Sequence, residues 1–489
     1  IKKHTFFANV GWNLSDTHYQ EYYTTAIGYK DISMDDFFFG TLYKDDDAPS
    51  GTAAKNRSVG ASGVFAYTYD DRYLLDATIR ANGASAFGSD NRWATFWSVG
   101  LGWNMHNESF LKDNEWFDQL KIRGSIGSTG NQNFQSNRSI ANYSYYMKDS
   151  YASQWDGVYP TNIPNTGLKW ESKMDYNIGF DYGFFDDRLY GTFDAYLRDT
   201  HDLLNSVTTP MGSNYGNVVL TNIGSIRNKG IEFSVNGIPV QTKDWSVQIG
   251  FNGTFQDSRF TKLNNTDDPG YYVEVGSIEK GTGSKICRHM VGYEPYTYFA
   301  PQQIYDENGN PVQNAIVDQD RDGEITLNDY RMTDKSPLPS FYYGLNFKAS
   351  YRNWDFGFNG HGTAGNYLFN DFASAHSTSS FDTGAGNIPN LALIVLKTGF
   401  TEENSGAQSY SDYFIEDASF FRLDDINLGY TFKAVGRWET DIRLALSVQN
   451  VFVISGYSGM DPECSAETGI DNTVWPRPRT YSLRINVNF

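Results

Sequence analysis

The sequence predicts an all-β fold, a transmembrane antiparallel up-and-down β-barrel, and three observations carry that expectation. Apolar and polar residues alternate over runs of roughly 9 to 13 residues, longer than usual soluble strands and suited to crossing a bilayer at a tilt. The links between runs switch regularly between tight and long. The composition is aromatic (16 %) and glycine-rich (46 Gly), yet only 39 % hydrophobic. That is thin for a large soluble core, but it suits a barrel in which one residue in two faces lipid.

The closing stretch YSLRINVNF states the pattern. Tyr481, Leu483, Ile485, Val487 and Phe489 share one face, and Ser482, Arg484, Asn486 and Asn488 the other. The pattern recurs. RLYGTFDAYLR sets Leu189, Phe193 and Leu197 against Thr192, Asp194 and Arg198. WSVQIGFNGTF sets Trp245, Val247, Ile249, Phe251 and Phe255 against Gln248, Asn252 and Thr254. DIRLALSVQN, FYYGLNFKA and WDFGFNG repeat it.

Taken in order, the strands fall roughly at 4–13, 19–28, 57–69, 73–82, 93–104, 118–127, 169–183, 187–199, 229–238, 244–257, 340–350, 353–363, 418–432, 439–451 and 479–489, about 15 in all. Tight links sit at 70–72, 184–188, 238–244 and 351–354. Long ones span 29–56, 128–168, 200–228, 258–339, 364–417 and 452–478. Membrane barrels place short turns in the periplasm and long loops outside. A soluble sandwich or propeller has no reason to alternate so. On this count the last strand runs towards the short-turn side, and so does the first. An even total then requires an odd number of further strands upstream, and the last strand must pair with the first to close the barrel. The opening IKKHTFFANVGW starts inside a strand-like run, as a C-terminal piece of a longer protein would.

The net charge of −19 argues against nucleic acid or an anionic surface as partner. No 18-residue apolar run predicts a membrane helix. Cys287 and Cys464 stand far apart, and one pair is no disulfide framework, so whether they pair stays open. None of the seven histidines sits in a zinc-binding or H-E-x-x-H pattern, and no G-x-S-x-G or Walker pattern occurs. No catalytic residue is expected. The segment DFASAHSTSSFD (371–382) reads as a flexible polar lid.

Ordered blocks across nearly the whole chain resemble the C-terminal half of SusC/RagA-type TonB-dependent outer-membrane transporters of Bacteroidota. They are DDRYLLDATIRANGASAFGSDNRWATFWSVGLGWNMHNESFL (70–111), LKIRGSIGSTGNQ (120–132), GLKWE (167–171), NIGSIRNKGIEFSV (222–235), SFFRLDDINLGYTF (419–432) and VQNVFVISGYSGMDPE (448–463). Trp97 replaces the family's usual Pro, and Ala86 stands where Arg is common. The resemblance implies a 22-stranded barrel, of which this sequence is expected to hold about 15 strands, with an N-terminal plug and a TonB box that are expected to lie upstream of it. It further implies a SusD-like surface lipoprotein as lid, contact with the TonB complex through the missing N-terminal part, and a dimer of transporter–lipoprotein pairs as one possible assembly. The implied cargo is oligosaccharide or peptide, imported actively. A passive porin, or a barrel serving as platform for a surface complex, is the alternative.

DQDRDGEITLND (318–329) is the sharpest local motif. Asp318, Asp320 and Asp322 take loop positions 1, 3 and 5, Gly323 permits the turn, Glu324 offers its carbonyl, and Asp329 closes at position 12. Calcium takes six to eight oxygens, and this spacing wraps them round one ion. The alternative is an acidic turn, solvated or pinned by hydrogen bonds. Aromatic-rich stretches at 143–159, 270–275 and 291–299 could stack on sugars or pack loop on loop. The third reads as structural. Trp103, Trp170, Trp245 and Trp354 are expected in interfacial girdles.

Overall fold

The computed structural model describes the chain apart from residues 1–2, 32, 34–35, 45–49, 112–113, 115, 132–138, 147–156, 209–217, 264–267, 269, 279–283, 380–389, 404–405, 436–439, 464–467, 473–474 and 489. Phe489 and Cys464 therefore lie outside the described residues, as does most of the aromatic stretch 143–159.

Fourteen strands make one sheet, each hydrogen-bonded to its neighbours in chain order. They are β1 (His4–Tyr23), β2 (Ser50–Tyr69), β3 (Tyr73–Ala84), β4 (Trp93–Asn104), β5 (Phe117–Asn131), β6 (Glu171–Phe184) and β7 (Leu189–His201). Then follow β8 (Ser225–Gln241), β9 (Trp245–Lys262), β10 (Phe341–Tyr351), β11 (Trp354–Ala364), β12 (Phe420–Val435), β13 (Thr440–Ser455) and β14 (Thr480–Asn488). All the pairings are antiparallel, so successive connections lie at opposite ends. The long ones, among them 263–340, 365–419 and 456–479, share the outer end. The links 70–72, 185–188, 242–244 and 352–353 share the other.

The expected strands 4–13 and 19–28 are one strand. β1 pairs with β2 without a break from His4–Tyr69 to Tyr23–Ser50. The apolar alternation stops after Leu14, where Asp16 and His18 take over that face, but the backbone ladder continues opposite Arg57 and Lys55. Polarity ends the hydrocarbon span without ending the strand. With fourteen strands β1 runs opposite to β14, which corrects the expected direction, and the case for an odd number of upstream strands falls with it. Among the described residues, β1 and β14 each pair along one edge only.

The tight turns use residues that tolerate a left-handed backbone. Asp70 and Asp71 lie at φ 54°, and Asp186 and Asp187 at 59° and 56°. Short hairpin links use residues at positive φ to match strand twist, and Asp adopts it more readily than most residues.

Each strand has a lipid face and an inner face. On β13 and β14 the lipid face pairs Leu444 with Ile485, Leu446 with Leu483 and Val448 with Tyr481. Leu446, Leu483 and Ile485 stay well exposed, as side chains in contact with lipid must. At the turn end Trp245 packs on Tyr351 (centroids 4.4 Å apart) and Trp354 on Tyr430 (4.7 Å), forming the expected girdle. Trp103 closes the same rim by donating to Glu108 (3.1 Å), which also accepts from Tyr73 Oη (2.7 Å) and Arg72 Nη1 (2.9 Å). Trp170 is a correction. It is 7 % exposed and stacks on Phe87 at 4.5 Å beside Ala84, so it belongs to a small core and not to a girdle.

Glycines notch the inner face so that polar side chains can lie across it. Gly179 stands between Arg123 on β5 and Asp194 on β7. Over it Arg123 Nη1 and Nη2 bond both Asp194 oxygens at 2.6 Å, while Nε reaches Asp181 at 3.0 Å. A Cβ at Gly179 would sit 2.6 Å from both partners. Gly429 does the same beneath Arg443 and Asp355. Asn236 and Asn346 flank Gly250, and Asn13 and Asn82 flank Gly60.

A side chain at Gly179 should therefore break the Arg123–Asp194 pair. Gly179→Val is expected to destabilise the barrel by about 1–3 kcal/mol, the usual range for overpacking. The check is the temperature at which the purified protein loses its folded, heat-modifiable electrophoretic band. Gly456→Ala, where a Cβ would meet nothing within 4 Å, should leave that temperature unchanged.

Candidate functional site

Three long outer connections fold together into a cap with its own core. Strands Tyr272–Ser277, Lys285–Met290, Thr297–Pro301 and Tyr330–Met332 form one small sheet. Ile415–Asp417, Tyr367–Asn370 and Ile470–Asp471 form another. Between them Ile286, Cys287, Tyr298, Phe369, Phe414, Ile415 and Ile470 make a buried cluster. Tyr298 is fully buried, and its hydroxyl donates to the carbonyls of Gly469 (2.7 Å) and Tyr367 (3.0 Å). The VGYEPYTYF stretch is thus structural, as expected. Cys287 is a free, buried thiol whose Sγ points at the Thr468 carbonyl, and burial pushes its pKa up.

The expectation of a flexible polar lid at 371–382 is corrected over its described part. Asp371–Ala375 is a helical turn capped by Asn370, whose side chain accepts from Ala373 N at 2.9 Å. Ser374 and Ser377 are fully buried, and Ser374 Oγ donates to Ser409 O at 2.6 Å. These serines satisfy backbone carbonyls in a packed cap. The remainder, 380–382, lies outside the described residues.

The acidic turn lies on this cap. Asp318, Asp320 and Asp322 come together, each with a carboxylate oxygen within 4.8 Å of the others. Asp318 accepts from Arg321 N (2.6 Å) and Gly323 N (2.9 Å), and Gly323 takes φ +88°, the left-handed conformation the turn requires. Glu324 is exposed and donates its N–H to Asp322 at 2.8 Å. Asp329 is not one of the three that converge. It is fully buried, and its two oxygens accept from Gln319 N and Thr326 N, each at 2.7 Å. Those hydrogen bonds, that from Thr326 foremost, hold its carboxyl below the ordinary carboxylate range. Asp329 thus pins the turn shut across its base. The hairpin before the turn is tied to the neighbouring loop through Gln303, whose backbone N–H donates to Asp412 (2.9 Å) and whose side chain accepts from Gln408.

A second polar centre, which reasoning from residue spacing missed, sits where the cap meets the barrel wall. The Arg422 side chain on β12 is only 3 % exposed. It donates to Glu463 (3.0 Å), Asn450 (2.6 Å) and Asp461. His361 on β11 bridges Asp424 (2.7 Å) and Glu463 (3.3 Å). Arg422 lies in SFFRL and the two acids in MDPE, blocks distant in sequence, so no local spacing reveals the pairing.

A wide antiparallel β-sheet with a lipid face, a notched polar inner face and a loop-built cap is the wall of an outer-membrane β-barrel. The family described as TonB dependent receptor-like, beta-barrel, matches residues 2–451, and the chain belongs to it. It is 38 % identical to the TonB-dependent receptor SusC of Bacteroides thetaiotaomicron, over 89 % of this chain and 44 % of SusC. It is 28 % identical to the TonB-dependent receptor P3 of Formosa agariphila, over 90 % and 46 % of the two chains. The RagAB peptide transporter structure superposes with TM-score 0.83 at 21 % identity, covering all of this chain and 54 % of that one. The chain spans about half the length of the curated relatives it matches. It is an outer-membrane protein.

His289 gives the cap a buried group that titrates below its ordinary range. It packs against Phe260 (4.9 Å) and Tyr296 (4.7 Å), and burial pushes its pKa from 6.5 down to about 4. The unfolded cap then binds the proton more readily than the folded one. The part of the cap's stability that depends on His289 should be fully present above pH 6.5 and fall as pH drops from 6.5 towards 4. Protease nicking of the cap should rise across that window, and His289→Phe should flatten the rise.

Proposed function

We propose that this chain is the C-terminal barrel portion of an active importer. In this reading an upstream plug and TonB box supply gating and energy coupling, a SusD-like lipoprotein covers the cap, and oligosaccharides or peptides are the cargo. The observation that carries the reading is the 38 % identity to SusC across 89 % of this chain. The folded cap supports it, because a lid needs a firm rim to seat on. The RagAB peptide transporter shares the fold and keeps peptide in view as cargo. A passive porin would not need energy. Cells carrying the whole transporter should therefore accumulate labelled oligosaccharide or peptide mixtures only while the proton gradient is intact. Uptake that persists after a protonophore would refute active import.

We also infer that the acidic turn holds calcium as a structural ion. Asp318, Asp320 and Asp322 would supply side-chain oxygens and Glu324 its carbonyl, while Asp329 shapes the loop. Three carboxylates this close repel one another, and a divalent cation between them removes that repulsion. Terbium should luminesce when bound here, by energy transfer from nearby aromatics, and calcium should displace it. Asp318→Asn with Asp322→Asn should weaken binding at least tenfold and increase protease nicking near 320. Unchanged terbium binding in that variant would sink the assignment.

A further inference from the structure

The lipid face of β1 to β4 changes character abruptly at its outer rim. Leu14, Val59 and Gly83 lie side by side in register, and Trp93 completes the row. One step further out stand Asp16 and Arg57, paired in register, with Ser85 beside Arg57 and donating its backbone N–H to the Arg57 carbonyl. His18 and Lys55 form the row beyond. An open cavity of about 510 Å³ spans this boundary. Leu14, Val59 and Trp93 line its inner part, and Asp16, Arg57 and Arg92 its outer part.

The height of this boundary matches a membrane surface. The opposite girdle is marked by Tyr73, paired with both Tyr69 and Trp103. Gly83 lies ten residues further along β3. Ten residues span about 33 Å of strand, or about 25 Å of height at a tilt of about 40°, the thickness of the apolar band of an outer-membrane barrel. The charged rows therefore sit at the headgroup level of the outer leaflet.

The charge there runs against the rest of the chain. The whole sequence carries −19, yet at this place Lys55, Arg57 and Arg92 face one carboxylate. Asp16 is shared by Arg57 (3.2 Å) and Lys55 (3.8 Å). Arg92 is exposed, has no carboxylate partner among the described residues, and lines the cavity. Trp93 lies flat because Gly83 has no side chain; a Cβ there would meet the indole at 3.1 Å. A flat exposed indole under a cationic rim is a platform for a sugar ring that carries an anion.

We propose that this rim binds a phosphate-bearing glycolipid of the outer leaflet. Arg57, Arg92 and Lys55 take the phosphate, Trp93 stacks on the sugar, and the acyl chains run down over Leu14 and Val59. Arginine forks suit phosphate oxygens, and their charge makes the binding salt-sensitive. The site is independent of the import reading, since it faces lipid and not the lumen.

The test uses the whole transporter purified from outer membranes in mild detergent, with retained phosphate-bearing glycolipid counted per protein by mass spectrometry. Arg57→Glu with Arg92→Glu should retain at least fivefold less than wild type, and Arg57→Lys with Arg92→Lys should retain most of it. Equal retention in the Glu pair, with its heat-modifiable band intact, overturns the proposal. A second measurement needs no variant. Delipidated wild type should gain thermal stability from the phosphorylated glycolipid, and the gain should shrink with salt. An equal gain from the same lipid after dephosphorylation, or from inorganic phosphate alone, overturns it too; the first outcome means apolar solvation only, the second a free-anion site.

Discussion

Hydrocarbon offers no partner to a backbone N–H or C=O, and the rest of this structure depends on that constraint. Each unpaired group would cost several kcal/mol in the bilayer. The chain answers with fourteen strands whose ladders are nearly unbroken, from His4–Tyr69 at one edge to Asp441–Asn488 at the other. Once the backbone is committed to pairing, side chains can vary only between two faces. One must be apolar where it meets lipid. The other is free to be polar, and Arg123, Asp181, Asp194, Asn236 and Asn346 lie there.

Two packing regimes follow within one chain. The barrel wall has no core in the soluble sense, because its apolar side chains face lipid. Its inner surface is ordered instead by glycine notches, over which Arg123 reaches Asp194 and Arg443 reaches Asp355. The cap is the opposite case. It stands in water, so it needs a core, and it builds one around Tyr298, Phe369 and Ile470 from three connections. Polar side chains that hold these connections together, such as Gln303 with Gln408, are buried and hydrogen-bonded as that setting demands.

These regimes explain what could be read from the sequence. Period-two alternation is strong wherever lipid enforces it, so β3 to β14 are legible to within a few residues. It fails at β1, where the strand outruns the membrane and Asp16 and His18 occupy apolar-side positions. The cap was barely legible, because its core joins residues as far apart as Cys287 and Ile470 and no local period records that contact. Trp170 misled for the same reason: near a strand end it resembles a girdle residue, yet Ala84 at the end of β3 and Phe87 in the loop after it come together to bury it. The acidic turn was legible as spacing, but spacing alone does not show that Asp329 spends both oxygens on backbone N–H groups.

The junction of cap and wall limits how the cap can move. Arg422 belongs to the wall and Asp461 and Glu463 to the cap, and the guanidinium is almost wholly buried between them. Lifting the cap here would break the ion pairs that Arg422 makes with Asp461 and Glu463, so the junction resists opening. Asn450, on β13, holds the same guanidinium from the wall side and donates to the Arg477 carbonyl at 2.7 Å, so the segment leading into β14 is tied in as well. Above β11 to β13 the cap and wall therefore act as one body. A rearrangement of the outer end would draw on parts of the rim that carry no such buried pair.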